Sequence, residues 1–252
     1  MPPILAIEID TLTKQYGDFS ALSGISFDVR PGEVFGLLGP NGAGKTTTLR
    51  LLMGMLVATS GRAQIHGLDC LVDRVELKRR VGYLPDHALF YDYLTGRELL
   101  RFVGQMHGVP HRPLALRCQQ LLDGVGLADA ADEYVANYSL GMQKKIALCM
   151  ATIHEPSVLV LDEPTTGLDP LATRQMRDLI RTSAERGCTV LLSTHLLGMA
   201  EELCDRVAIL DHGRVAALGT PGAVRARALE SGAINCWSLE DAFLALTGAP
   251  SK

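Results

Sequence analysis

The chain has 252 residues, a net charge of -4 and 47% apolar residues. That is enough for one large domain or a core with a satellite, and the mildly acidic balance argues against a nucleic-acid partner, which usually needs a basic face. No apolar run approaches the roughly 20 residues that cross a bilayer, and the N-terminus lacks a charged head before an apolar stretch, so neither a membrane span nor a signal peptide is expected.

Residues 4–38 alternate like strands. Ile7, Ile9 and Leu12 precede a Gly17-Asp18 turn, and Ile25, Phe27 and Val29 follow it. Short strand-like pieces fall at 63–65 and 81–84. From about 95 to 152 the pattern is helical. Thr95 is placed to cap a helix carrying Glu98, Leu99, Leu100, Phe102 and Val103. Pro110 and Pro113 interrupt, and helical spacing resumes over 114–125. Strands and helices then alternate: strand 158–161, helix 170–186, strand 189–193, helix 196–204, strand 207–210. Such alternation implies a parallel sheet with helices on its faces. In the tail, Thr220-Pro221 reads as a helix start. Ser238 with Asp241 reads as a capping box ahead of a stripe of Leu239, Ala242, Phe243 and Leu246, ended by Gly248. That helix either docks on its own domain or meets a partner. The six cysteines form no Cys-x-x-Cys pair and no Cys/His cluster, and read as small buried hydrophobes in a reducing compartment.

Two segments carry chemistry. The run Gly39-Pro40-Asn41-Gly42-Ala43-Gly44-Lys45-Thr46-Thr47 follows a short apolar strand and opens into a helical pattern. Glycines let successive N–H groups face one concavity, and the helix start adds positive potential, so the segment is a phosphate cradle. Lys45 supplies charge for the outer phosphates, and Thr46 a hydroxyl for the accompanying magnesium. The second is Val158-Leu159-Val160-Leu161-Asp162-Glu163, an apolar strand ending in two acids. Unbroken apolar runs suit buried parallel strands, whose carboxyl ends bind ligands. Asp162 fits a magnesium ion, and Glu163 the water that attacks a γ-phosphate.

Over residues 4–220 the chain resembles the nucleotide-binding domain of ATP-binding cassette proteins. Ser139-Leu140-Gly141-Met142-Gln143 stands where that family has its signature loop. Gly167-Leu168-Asp169 resembles its D-loop, His195 its switch histidine, and Tyr16 the aromatic residue that stacks on adenine. The tail 238–248 and the segments around Tyr83-Leu84-Pro85-Asp86 and Tyr138 resemble the ATPase subunits of ABC-2-type exporters. The resemblance implies an α/β fold of the P-loop NTPase type. A RecA-like core, 1–86 and 153–225, carries an N-terminal antiparallel β subdomain and an inserted α-helical subdomain at about 87–152. Together these make an ATPase domain, 1–225, with a helical extension over 226–252.

The resemblance also implies ATP and magnesium as ligands, with Thr46, Asp162 and Asp86 at the metal, and hydrolysis carried by Glu163, His195 and Lys45. It further implies a pair of chains with ATP between them. Ser139, Gly141, Met142 and Gln143 of one copy would meet the ATP of the other, and Asp169 would act across the same interface. A separate membrane permease, no nucleic acid and a cytoplasmic, membrane-peripheral location complete the expectation. Two departures stand out. Leu140 and Met142 replace a glycine and a glutamine of the signature loop, and leucine does not readily take φ > 0, leaving Gly141 alone to bend the loop. Asp86 stands where the family usually has glutamine. Aromatics cluster at Phe90, Tyr91 and Tyr93, either as a local core or as an exposed groove for a partner's helix. A soluble cassette ATPase serving assembly, or a P-loop kinase or GTPase, are the rival readings.

Overall fold

The N-terminal alternation becomes a hairpin. Strand β1 (Ile7–Tyr16) pairs antiparallel with β2 (Phe19–Val29), and Tyr16 faces Phe19 across the Gly17-Asp18 turn, where Gly17 takes φ 56°. The computed structural model describes residues 5–231 and 236–248. Residues 1–4, and positions 232–235 and 249–252 of the expected C-terminal extension, lie outside the described residues.

Strand β3 (Val34–Leu38) is buried at every position and leads through the glycine loop into α1 (Lys45–Leu52). Strand β4 (Ser60–Ile65) returns to pair with β1, and β5 (Leu68–Asp69) pairs with β4. The first sheet therefore runs β2-β1-β4-β5, antiparallel throughout. Helix α2 (Arg74–Arg80), which buries only Leu77, precedes β6 (Val81–Leu84).

Three helices follow. Helix α3 (Gly96–Met106) starts with the capping box anticipated at Thr95: its hydroxyl accepts from Glu98 N at 3.2 Å, and Glu98 accepts from Thr95 N at 2.9 Å. Helix α4 (His111–Gly124) corrects one expectation, because Pro113 does not break it. Pro113 is the third helical residue, where its missing N–H has no intrahelical partner to lose. Helix α5 (Leu140–Thr152) completes the group, and Leu99, Leu114, Cys118, Leu122, Ile146 and Cys149 form the buried cluster between the three.

The remaining elements alternate: β7 (Val158–Asp162), α6 (Pro170–Glu185), β8 (Thr189–Thr194), α7 (Leu197–Leu203), β9 (Arg206–Asp211) and β10 (Arg214–Gly219). The second sheet has the order β10-β9-β3-β8-β7-β6, parallel except for β10, a strand that the sequence pattern did not announce. One face of this sheet shares a core with the first sheet, where the Phe27 and Phe35 rings stack at 5.2 Å. Arg206 joins the two, with Asp28 at 3.1 Å and Glu33 at 3.4 Å.

The other face is covered by Leu148, Met176, Ile180, Met199 and Leu203, and by the tail helices α8 (Pro221–Glu230) and α9 (Leu239–Thr247). Helix α9 settles the choice left open by its apolar stripe. Leu239 and Ala242 are fully buried in its own domain's core, with Phe243 and Leu246 packed beside them. Leu239→Ala is expected to cost about 2–5 kcal/mol of stability, measured by denaturant unfolding, with α9 becoming the first site of protease attack.

At the joint between α3 and α5, the His107 and His154 rings stack at 3.8 Å. Burial, then the charge of His107 and, less, of Arg117, pushes the His154 pKa down to about 4 against a weaker upward pull from the Val81 backbone. The unfolded chain takes up that proton near its ordinary value of 6.5. Stability is therefore complete above pH 6.5, falls as pH drops below it, and stops falling near the folded value of about 4. His154→Leu should remove that part of the acid sensitivity, on the order of 3 kcal/mol, in urea melts between pH 7 and pH 4.

Candidate nucleotide site

Four neighbouring strands of the second sheet, in the order β3-β8-β7-β6, end on one edge. The loop after β3 carries residues 39–44, β7 ends in Asp162 and runs on to Glu163, β8 leads to His195, and β6 leads to Asp86. Residues separated by up to 156 positions in sequence thus meet because the strands that present them are adjacent and parallel.

The glycine loop is tightly built. Gly42 and Gly44 take φ 82° and 106°, and a Cβ on Gly44 would lie 2.7 Å from Ala21 O and 2.6 Å from Leu22 Cδ2. Only glycine holds the loop this close to β2. Pro40 and Asn41 are exposed, whereas Ala43 is buried. Thr46 and Thr47 lie in the first turn of α1, whose leading N–H groups lack partners within the helix. Lys45 is buried, with its ammonium 2.7 Å from Gly39 O, 3.3 Å from Pro40 O and 3.4 Å from Glu163 Oε1.

Asp162 is 1% exposed and accepts from Ser193 Oγ at 2.6 Å and Thr46 Oγ1 at 3.3 Å. Burial raises its pKa above the usual carboxylate range. Those two hydrogen bonds oppose the rise, and the charges of Asp86 and Glu163 add to it. Such a carboxylate lacks positive charge, and a magnesium ion fits it. The described residues hold no group of three or more His, Cys, Asp or Glu arranged around a metal. Thr46 and Asp162 would therefore share the ion with phosphate oxygens and water.

Glu163 has φ 48°, an uncommon backbone for a non-glycine residue. Its N–H donates to Ser193 O and Ser193 Oγ, both at 3.1 Å. Its side chain is held on both oxygens: Oε2 accepts from Thr166 Oγ1 at 3.1 Å and lies 2.9 Å from His195 Nδ1, while Oε1 faces Lys45. An ionised carboxylate only accepts, so Nδ1 of His195 donates to it.

The other expected residues stand apart from this centre. Ser139 caps α5, accepting from Met142 N at 3.3 Å, and Asp169 caps α6, accepting from Ala172 N at 2.8 Å. The concern over Leu140 is corrected: α5 begins at Leu140, and neither Leu140 nor Gly141 has positive φ, so the loop needs no glycine bend there. Gln143 follows in the first turn of the same helix. Tyr16 ends β1 half exposed, with Lys14 Nζ 4.8 Å from its ring centre. In the aromatic cluster, Phe90 packs against the core, whereas Leu89 and Tyr93 are 92% and 91% exposed. Asp86 has Lys144 Nζ 3.4 Å from Oδ1 and His87 Nε2 3.5 Å from Oδ2. Sequence reasoning missed Lys144; its one visible signal is a lysine on a helix position facing the core.

Residues 22–166 match the sequence family described as ABC transporter. The chain is 40% identical over 223 residues to the daunorubicin/doxorubicin resistance ATP-binding protein DrrA of Streptomyces peucetius, covering 88% of this chain and 68% of that one. It is 36% identical over 214 residues to the linearmycin resistance ATP-binding protein LnrL of Bacillus subtilis (strain 168), covering 85% and 69%. A solved ATP-binding subunit of an ABC transporter superposes with a TM-score of 0.87 at 32% identity, covering 96% of this chain and 99% of that one. The chain belongs to the ABC transporter family and is one of its ATP-binding, ATP-hydrolysing subunits.

Proposed function

We propose that this subunit powers an exporter whose membrane permease is a separate chain, and that it works as a pair of copies closing on two ATP molecules. The observation that carries the ATPase chemistry is the meeting of Lys45, Asp162, Glu163 and His195 on one edge of the sheet, next to the glycine loop. Similarity to resistance ATP-binding proteins supports export. Among the described residues no helix is long and apolar enough to cross a membrane, which fits a subunit held at the inner face of the membrane by its permease.

Each residue then has a task. Residues 39–47 cradle the phosphates, and Tyr16 stacks on adenine. Thr46 and Asp162 would hold magnesium, with Asp86 close to the same charges, and the ion would supply charge neutralisation at the phosphates. Lys45 and His195 now share Glu163 as their anion, and a γ-phosphate competes for both. As they turn to phosphate, the Glu163 carboxylate is freed to take a proton from the attacking water. Lys45, and His195 through the Nδ1–H that it turns away from Glu163, stabilise the charge that develops. Ser139, Gly141, Met142 and Gln143 open α5, and the positive end of that helix suits the γ-phosphate held by the other copy. Asp169, already a helix cap, lies beside that interface. The exposed Leu89, Tyr91 and Tyr93 suit the permease. The partition into a core of 1–86 and 153–225, a helical subdomain of 87–152 and an extension of 226–252 belongs to the same proposal.

Glu163→Gln should lower ATP turnover by about 10²–10⁴-fold while ATP binding persists. With ATP and magnesium it should elute from size-exclusion chromatography as a dimer; monomer alone would count against the paired arrangement. Gly44→Ala introduces strain of about 1–3 kcal/mol and a clash with Ala21 O, so ATP affinity, followed with a fluorescent analogue, should fall by about tenfold or more.

A further inference from the structure

Lys144 lies in the second turn of α5 and its side chain is 7% exposed. Its ammonium has three donors, and three acceptors stand around it: Asp86 O at 2.7 Å, Glu163 O at 3.1 Å and Asp86 Oδ1 at 3.4 Å. None of these lies on α5 itself. Two belong to the loop after β6 and one to the residue that follows β7. A buried ammonium is costly without an anion, and the anion here is Asp86. The departure from glutamine at position 86 thus has a matched cation within the same chain. Glutamine at that position would leave the Lys144 ammonium with carbonyl oxygens alone.

The second contact bears on the proposed general base. Glu163 occupies an uncommon backbone conformation, and that conformation is held from both sides: Ser193 takes its N–H, and Lys144 binds its carbonyl. Beyond Asp86, the same loop leads to the exposed Leu89, Tyr91 and Tyr93. Helix α5 starts one turn before Lys144, just after its cap Ser139. One side chain therefore ties the start of α5, the exposed loop and the Glu163 backbone together.

We propose that Lys144 is a positioning residue for hydrolysis, holding Asp86 and Glu163 as one unit so that displacement of the exposed loop moves the Glu163 carboxylate. The proposal rests on the reading of Glu163 as general base.

The test is a double-mutant cycle in the full chain with Lys144→Met, Asp86→Asn and the pair. Lys144→Arg serves as the charge-retaining variant and carries the cycle with Asp86→Asn if the methionine variant does not fold. Lys144→Met should lower kcat by about 100-fold, the loss that a 1 Å misplacement causes, with KM for ATP changed less than about threefold. Lys144→Arg should recover at least about a tenth of the lost rate. The double variant should be no slower than Lys144→Met alone, because the partners act as a unit. Amide hydrogen exchange should quicken over 86–93 and 163–166 and stay unchanged in β3 and α1. Multiplying losses in the double variant, wild-type turnover in Lys144→Met, or quickened exchange throughout the chain would each overturn the proposal. Full turnover in Glu163→Gln would instead remove the general-base reading, while the exchange pattern would still report whether Lys144 tethers the two loops.

Discussion

Asp162 and Glu163 end a strand with no exposed residue, and the site is arranged around the need to balance their charge. Two adjacent carboxylates at the edge of a dry sheet repel each other and lack hydration. The chain answers with Lys45 from α1, Lys144 from α5, His195 after β8, and hydroxyls from Thr46, Thr166 and Ser193. These groups come from α1, α5, the loop after β7 and the end of β8, so the sheet order has to be right before they can reach. Fold and site are therefore specified together: a register error in β7 would turn Asp162 to the wrong face and shift Glu163 away from Lys45, leaving that lysine buried without its anion.

Much of this was legible in the sequence because it is local. A capping box spans four residues, a glycine loop six, and an apolar strand ending in acids another six; each carries its own physical signal. The caps at Thr95, Thr220 and Ser238 fall where the side chains indicate. What escaped is either too short to show a period or set by distant partners. β5 is two residues long, and α2 buries a single leucine, so neither has an apolar rhythm. Pro113 looked like a break because the first turn of a helix tolerates proline and its interior does not, and the pattern alone could not fix where α4 begins. The Lys144–Asp86 pair joins residues 58 apart, with nothing local to announce it.

The residues expected to act on a second copy are already satisfied within their own chain. Ser139 and Asp169 each accept from a backbone N–H at the start of a helix. This does not compete with a role between copies, since a capped helix keeps its axis and its positive end fixed. Leu140 adds to that rigidity. A Cβ on Gly167 would lie 2.7 Å from Leu140 Cδ2, so this leucine packs over the glycine that precedes Leu168 and Asp169. The replacement of a signature glycine by leucine thus links the starts of α5 and α6 instead of leaving a loop short of flexibility.

A phosphate enters a centre in which the cations are already engaged, which has a consequence for coupling. Lys45 and His195 both contact the Glu163 carboxylate, and Lys144 holds the same residue by its carbonyl. Drawing Lys45 and His195 toward a ligand leaves Thr166, Lys144 and Ser193 as the restraints on Glu163. The balance at this residue then depends on Asp86, because Asp86 shares the Lys144 ammonium with it. A ligand shifts a conformational equilibrium only by the difference in its affinity for the two states. On the proposed mechanism that difference arises at Glu163, which a γ-phosphate would reach through Lys45 and His195, and which Asp86 reaches through Lys144. On the proposed mechanism, ATP occupancy and the position of the loop that carries Leu89 and Tyr93 are linked through Glu163, and by linkage each biases the other equally.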